Sequence, residues 1–346
     1  MAKKDVDDKN AIIEKVVKNI TTTFGSGSAL ILGRSSKAAG VNCISTGVES
    51  IDRAIYGKGG GIPVGMLTEI SGWESTGKTL LAKCIIASTQ KSGGIGIFID
   101  SEAAFQVPVA NAVGININDL IYCQPNTMEE VFDMIDKIVE EIRGDKFSNN
   151  ITIVWDSIAS TPTKSEFEGE KAGMAERARL IGERLRRMTM TISKMKVSVV
   201  FINQLREKVG IVYGNPEFTP GGNAIPFYSA VRLRMKKGAV IYDGNNAIGE
   251  WFSLNAIKNK IAPPFKTSKF EVYFDKGIPK YSGMVDYLVD KGLLKDRALG
   301  SEKASGWYWL ASDESVDPKT KEILVAHKFR YADFDKIILA HPELLD

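Results

Sequence analysis

The stretch Gly72-Trp73-Glu74-Ser75-Thr76-Gly77-Lys78-Thr79 fits the pattern GxxxxGK[ST] and stands between an apolar run, Met66–Ile70, and a helix-like run, Leu80–Ser88. Strand, glycine-rich turn and helix in that order constrain the fold more than any other feature of the chain. Such a loop works by aiming backbone N–H groups and a helix N-terminus at phosphate oxygens, so it needs a buried strand behind it and a helix opening from it. The motif reads as a nucleoside triphosphate site. Gly72, Trp73, Glu74, Ser75, Thr76 and Gly77 supply the cradle, Lys78 reaches the β- and γ-phosphates, and the Thr79 hydroxyl ligates Mg²⁺. The bland alternative is a glycine-rich turn with an incidental lysine.

A partner acid belongs at the carboxyl end of another buried strand, because ligands of an open parallel sheet sit beyond those ends. The run Ile151-Thr152-Ile153-Val154-Trp155 ends in Asp156, a carboxylate suited to hold Mg²⁺ through its water shell. A third run, Ile95–Ile99, ends at Asp100-Ser101-Glu102. Glu102 is placed to polarise the water that attacks the γ-phosphate; its alternative is a capping or surface glutamate. A fourth run, Val197–Ile202, ends in Asn203-Gln204, and Gln204 stands where the γ-phosphate site meets the following loop.

Helix-like segments separate these runs, over Lys78–Thr89, Met128–Ile142 and Glu176–Met195. Strand–helix alternation argues for a mostly parallel sheet covered on both faces. Beyond Gly222 the pattern changes to strands joined by turns, Ala230–Met235, Trp251–Asn255 and Phe270–Phe274, which predicts an antiparallel edge. Near the start, Ile12, Ile13, Val16, Val17, Ile20 and Phe24 recur at helical spacing, with Asp7 or Asp8 as the expected cap and Gly25 as the stop. From about residue 280 the pattern is mixed, with Trp307 and Trp309 as the expected core of a small terminal domain. At about 150 residues per domain, two or three domains are expected. The division read from the pattern is 1–39, an amino-terminal helix and arm, 40–279, the α/β core, and 280–346, a small α+β domain.

Lys+Arg 45 against Asp+Glu 42 leaves a net charge of only +3, so a nucleic-acid surface must come from local clustering. No apolar run approaches the roughly 18 residues of a membrane span. The charged start Met1-Ala2-Lys3-Lys4-Asp5 leads into no signal-peptide core, which predicts a cytoplasmic protein. Three cysteines without a CxxC and two histidines argue against a disulfide scaffold and a His/Cys zinc site.

Charge does cluster in two places. Lys171–Lys196 holds eight basic residues against two acids. Read as a helix, Ile181, Leu185, Met188, Ile192 and Met195 form one apolar stripe, and Arg179 and Arg186 fall opposite it. That face suits a phosphate backbone, although a charge run is often just a solvated face. The second place is Leu205–Gly222, too polar and too broken by Gly and Pro to be regular. Loops of that length in a compact domain are usually functional. Arg206 and Lys208 supply cations, and Val209, Ile211 and Tyr213 are apolar groups able to stack on bases or wedge between them.

These motifs together resemble the bacterial RecA family of DNA recombinases, from Ile44 to about Ile278. The most specific strings are Gly72–Thr79, Phe98-Ile99-Asp100-Ser101-Glu102, Asp156-Ser157, Glu166–Glu170 and Phe201-Ile202-Asn203-Gln204. Gly214-Asn215-Pro216-Glu217, Gly221-Gly222-Asn223-Ala224 and Lys258-Asn259-Lys260-Ile261-Ala262 complete the set. The resemblance implies a RecA-type phosphate-loop NTPase core that binds ATP and Mg²⁺ through Lys78, Thr79 and Asp156. Glu102 becomes the catalytic carboxylate and Gln204 the γ-phosphate sensor. Glu168–Met174 and Leu205–Gly222, with Asn223, become the loops that hold DNA within a helical homo-oligomeric filament, flanked by Arg179 and Arg186. Lys258 and Lys260 are implied to reach the ATP of the neighbouring subunit, where spacing alone reads them as one solvated strand face. Phe274 is implied to stack across the same interface, and the amino-terminal helix to dock onto the next subunit.

The chain also departs from the family pattern. Trp73 stands where a proline is usual, Gln106 and Val109 where an aspartate and an aromatic residue often lie near the adenine, and Pro226 where a lysine is usual. The resemblance implies an ATP-dependent recombinase acting in DNA recombination and repair, with single-stranded DNA and a homologous duplex as partners and no membrane. Two rival readings stay open at this point: a RecA-fold ring motor, and an ATP-gated protein that coats single strands without pairing homologues.

Overall fold

The computed structural model describes residues 2–25, 28–34, 40–170, 174–207, 217–296, 306–316, 323–325 and 327–346. Two compact units are present, Met1–Asn42 and Cys43–Asp346. In the first, helix α1 (Ala2–Phe24) carries the expected apolar spacing, with Ile12, Val16 and Phe24 exposed. It begins at Ala2 rather than at Asp7 or Asp8, because Ala2-Lys3-Lys4 are good helix formers and carry the helix upstream of both aspartates.

The second unit is built on an eight-stranded sheet. Its strands are β1 (Leu67–Gly72), β2 (Ile95–Asp100), β3 (Leu120–Cys123), β4 (Ile151–Asp156), β5 (Val197–Gln204), β6 (Val231–Asp243), β7 (Asn246–Asn259) and β8 (Thr267–Tyr273). The order is β8-β7-β6-β1-β5-β4-β2-β3. From β6 to β3 every neighbouring pair is parallel. The antiparallel edge therefore begins one strand later than the sequence suggests. β6 joins β1 in parallel, with Val231 opposite Thr68, and only β7 and β8 turn back.

Side chains alternate across the sheet with period two, and the two cores follow. On β4, Ile151, Ile153 and Trp155 face one core and Val154 the other; on β5, Val199 and Phe201 oppose Val200 and Ile202. Helix α2 (Lys78–Lys91) covers the second face with Leu81, Ala82, Ile85 and Ile86. Helices α3 (Met128–Gly144) and α4 (Met174–Met195) cover the first, and Ile181, Leu185, Met188 and Ile192 of α4 are buried as its stripe predicts. Met195, the last residue of the helix, is exposed. Both faces are dry, which explains why these strands read as continuous apolar runs.

A third apolar cluster gathers Met284, Val285, Leu288, Leu294, Leu310, Phe329, Phe334 and Ile338. Trp309 is buried, but Trp307 lies on the surface with the Arg330 guanidinium 3.9 Å from its ring centroid, so only one of the two tryptophans is core.

Candidate active site

The phosphate-loop motif closes as its chemistry demands. β1 delivers Gly72, whose missing side chain matters: a Cβ there would stand 2.8 Å from the Met235 carbonyl oxygen and 2.5 Å from Thr76 Oγ1. Gly77 has φ of 77°, the left-handed region glycine enters freely, and it turns the chain into α2. Among the described residues no side chain caps that helix, so its first N–H groups stay open towards the loop. Trp73, Glu74 and Ser75 are exposed while Thr76 and Lys78 are buried. The Trp73 carbonyl accepts from Thr76 Oγ1 at 2.8 Å and from Lys78 Nζ at 2.6 Å. Burial pulls the Lys78 ammonium below its ordinary value, opposed by Asp156, Glu102 and Glu74 nearby. A buried ammonium, an uncapped helix start and a glycine turn fit a polyphosphate anion.

The strand ends supply the acids. Asp156 closes β4, 6% exposed, and accepts from Thr79 Oγ1 at 2.6 Å. Burial raises its carboxyl to about 6, against the pull of Thr79 and Lys78. One hydroxyl and one carboxylate side by side are hard oxygen donors, the set that suits Mg²⁺. Glu102 lies just beyond β2, and its Oε1 accepts from Ser157 Oγ at 2.6 Å and from Gln204 Nε2 at 3.1 Å. Gln204 ends β5 directly opposite Gly72 of β1. Lys78, Thr79, Asp156, Glu102 and Gln204 thus converge from four segments far apart in sequence.

Sequence reasoning missed the groups that hold these. Asp100, at the end of β2, accepts from the Glu102 and Phe105 backbone N–H groups and from Tyr122 Oη, fixing the turn that carries Glu102. Ser157 was visible only as the neighbour of Asp156. Lys83, 3% exposed, lies one turn along α2 from Thr79 with its ammonium 4.5 Å from the Phe105 ring centroid. Glu69 inside β1 is fully buried and pairs with its cross-strand neighbour Arg232 at 2.5 Å, which a charge at that depth requires. A charged residue inside an apolar run was the available signal for Lys83 and Glu69.

Other expected residues lie elsewhere. Lys258, at the end of β7, and Lys260 do not turn to their own phosphate loop. They cap helix α5 (Ala224–Tyr228), with Lys258 Nζ donating to the Pro226 and Phe227 carbonyls at 2.5 and 3.0 Å and Lys260 Nζ to Phe227 at 3.4 Å. A five-residue helix leaves most of its carbonyls without helical partners, and these two cations serve them. Phe274 is 63% exposed.

Arg179 and Arg186 are exposed on α4, and Met174 opens that helix, its side chain outside the described residues. Lys208, Val209, Ile211 and Tyr213 also lie outside them. Leu205–Gly222 is not wholly irregular: Arg206 and Glu207 pair with Phe218 and Glu217 in a short antiparallel ladder. A cleft of about 560 Å³ opens beside it, lined by Arg177, Arg206, Gly221, Gly222 and Asn223 among others. Gly221 and Gly222 have φ of 103° and 69°, and a Cβ on Gly222 would stand 2.9 Å from Ala178 Cβ of α4, so the two candidate nucleic-acid segments touch.

The family model for the RecA N-terminal domain matches residues 11–279. The chain is 36% identical over 341 residues to Protein RecA of Heliobacterium modesticaldum, spanning 97% of this chain and 94% of that protein. It is 39% identical to Protein RecA of Thermus aquaticus, over 87% and 85% of the two chains. The chain belongs to the RecA family. Its fold is the RecA-type α/β core, it binds ATP, and its activity is DNA-dependent ATP hydrolysis in recombination and repair. Among the described residues no helix is long and apolar enough to cross a membrane.

Proposed function

We propose that the chain polymerises as a helical filament on single-stranded DNA in the cytoplasm and exchanges that strand with a homologous duplex. The observation that carries this reading is the Gln204–Glu102 hydrogen bond, because Gln204 is both a neighbour of the phosphate loop and the last residue before the candidate DNA segment that begins at Leu205. Lys78, the uncapped start of α2 and the loop amides bind the triphosphate, and Glu102 orients the attacking water. Thr79 and Asp156 hold Mg²⁺, which when bound neutralises charge on the phosphates. Arg179, Arg186, Arg206 and Lys208 meet the DNA backbone, with Gly221, Gly222 and Asn223 admitting close approach. Lys258 and Lys260 reach the triphosphate of the neighbouring subunit, and Phe274 faces that same boundary.

A strand-exchange assay with homologous and heterologous duplexes tests the reading, paired with electron microscopy of the assemblies. Joint molecules with the homologous duplex alone, on open filaments, are expected. Filaments that pair nothing would leave a coating protein, and closed rings a motor.

A further inference from the structure

The segment that follows Gln204 is tied to the phosphate loop at two places, by different atoms. At its start, Leu205 N–H donates to the Gly72 carbonyl at 3.1 Å. In the second strand of its ladder, Glu217 Oε1 accepts from Trp73 Nε1 at 3.1 Å, while the other Glu217 oxygen accepts from Arg234 Nη1 at 2.8 Å. Glu217 cannot move independently, since it pairs with Glu207 in the two-residue ladder. Trp73 is bound through both its carbonyl and its indole N–H. Its carbonyl orders Lys78 and Thr76, and its indole N–H holds the stem of the DNA segment.

We propose that Trp73 is a positioning residue that couples the two ligands, transmitting through its bond to Glu217 any change of the phosphate loop to the stem that carries Arg206. The inference deepens the recombinase reading and rests on it. An indole N–H on a carboxylate is a charge-assisted bond, and Arg234 keeps that carboxylate aimed at the ring. Entry of a triphosphate beside Lys78 draws the lysine from the Trp73 carbonyl, so the residue that loses one partner is the one that holds the stem. Gln204 and Trp73 then form two separate links, one at the start of the segment and one at its ladder. By linkage, nucleotide and nucleic acid each raise the other's affinity by the same factor.

The test uses the full chain with oligo(dT), magnesium and a non-hydrolysable ATP analogue, and measures each Kd with and without the other ligand. Trp73→Phe keeps an aromatic ring and removes the N–H; Glu217→Gln keeps the size and removes the charge. In the unmodified chain the analogue should tighten oligo(dT) binding about tenfold, and each variant should reduce that factor to about threefold or less. The double variant should lose no more than either single one, because both break one bond. Glu217→Gln should keep its affinity for the analogue alone. Unchanged coupling in both single variants overturns the inference, as does a Glu217→Gln protein whose analogue affinity and melting temperature fall while the coupling factor stays. An unmodified chain that binds neither ligand, or binds both without coupling, overturns the recombinase reading itself and this inference with it.

Discussion

The phosphate end of the sheet and the face proposed for DNA differ in how much of their work is done in advance. At the phosphate end the polar groups already hold one another: Thr79 on Asp156, Ser157 and Gln204 on Glu102, Lys78 on the Trp73 carbonyl. On the other face Arg179 and Arg186 stand exposed on a helix, Arg206 on a short ladder and Asn223 just before α5. The difference follows from the ligands. Stabilising charge that appears at one atom for one step needs dipoles fixed beforehand in a water-poor site. Gripping a polymer of phosphates without regard to sequence needs long cations that adapt and shed counterions.

The comparison breaks most visibly at Glu102. Glu102→Gln should leave nucleotide and DNA binding intact and lower DNA-dependent ATP hydrolysis by about 10²–10⁴, the range for losing a general base. Near-normal turnover would mean that the carboxylate only pairs Ser157 and Gln204. A second test asks whether the phosphate end is complete within one chain. Lys78→Ala and Lys258→Ala/Lys260→Ala proteins should each be almost inactive, and mixed in equal amounts on single-stranded DNA they should recover activity at about a quarter of the interfaces. Energy transfer between labels shows whether the two proteins co-assemble; co-assembly without recovered activity would assign both lysines to capping α5 and nothing more.

Burial itself is tested away from both regions. Asp52 accepts from Ser45 Oγ at 2.5 Å and from Thr46 N and Oγ1 at 2.7 Å, yet burial and then Glu49 raise its carboxyl from 3.8 to about 6, as burial does for Asp156. Because the folded value is the higher one, the stabilising contribution is whole below about pH 4 and is lost as pH rises through 6. Asp52 alone should cost urea unfolding without ligands about 2–3 kcal/mol over that interval, and Asp52→Asn should remove that part of the slope while the Asp156 part remains. An unchanged profile would make Asp52 an ordinary carboxylate. The smallest effect belongs to the exposed face. Arg206→Ala should reduce the slope of log affinity against log salt by about one unit, equally for all sequences. A sequence-dependent loss at constant slope would mean that Arg206 reads bases.

What could be read from the sequence was whatever local order encodes. The loop from Gly72 to Thr79, the strand ends at Asp156 and Glu102, and the α4 stripe are patterns within one element, and the periods of helix and strand expose them. What could not be read was pairing over distance. Nothing near Trp73 announces Glu217, nothing near Lys258 announces the carbonyls of α5, and the parallel pairing of β6 with β1 depends on which edge of the sheet is open. Trp307 and Met195 misled because an apolar residue marks the core only if its element still has a neighbour where it points.

Gly72 and Gln204 are partners across one ladder, and Thr68 and Val231 across the next, so the strand that leads into the phosphate loop has both of its sheet neighbours far downstream. During synthesis that strand emerges early and waits with both edges unpaired until Val197–Gln204 and then Val231–Met235 have been made. Topology of this kind folds slowly, and an unpaired apolar strand is the species most open to association with another chain. The nucleotide pocket can thus be complete only once Val197–Gln204 has joined that strand, and triphosphate added during refolding should bind only after that pairing.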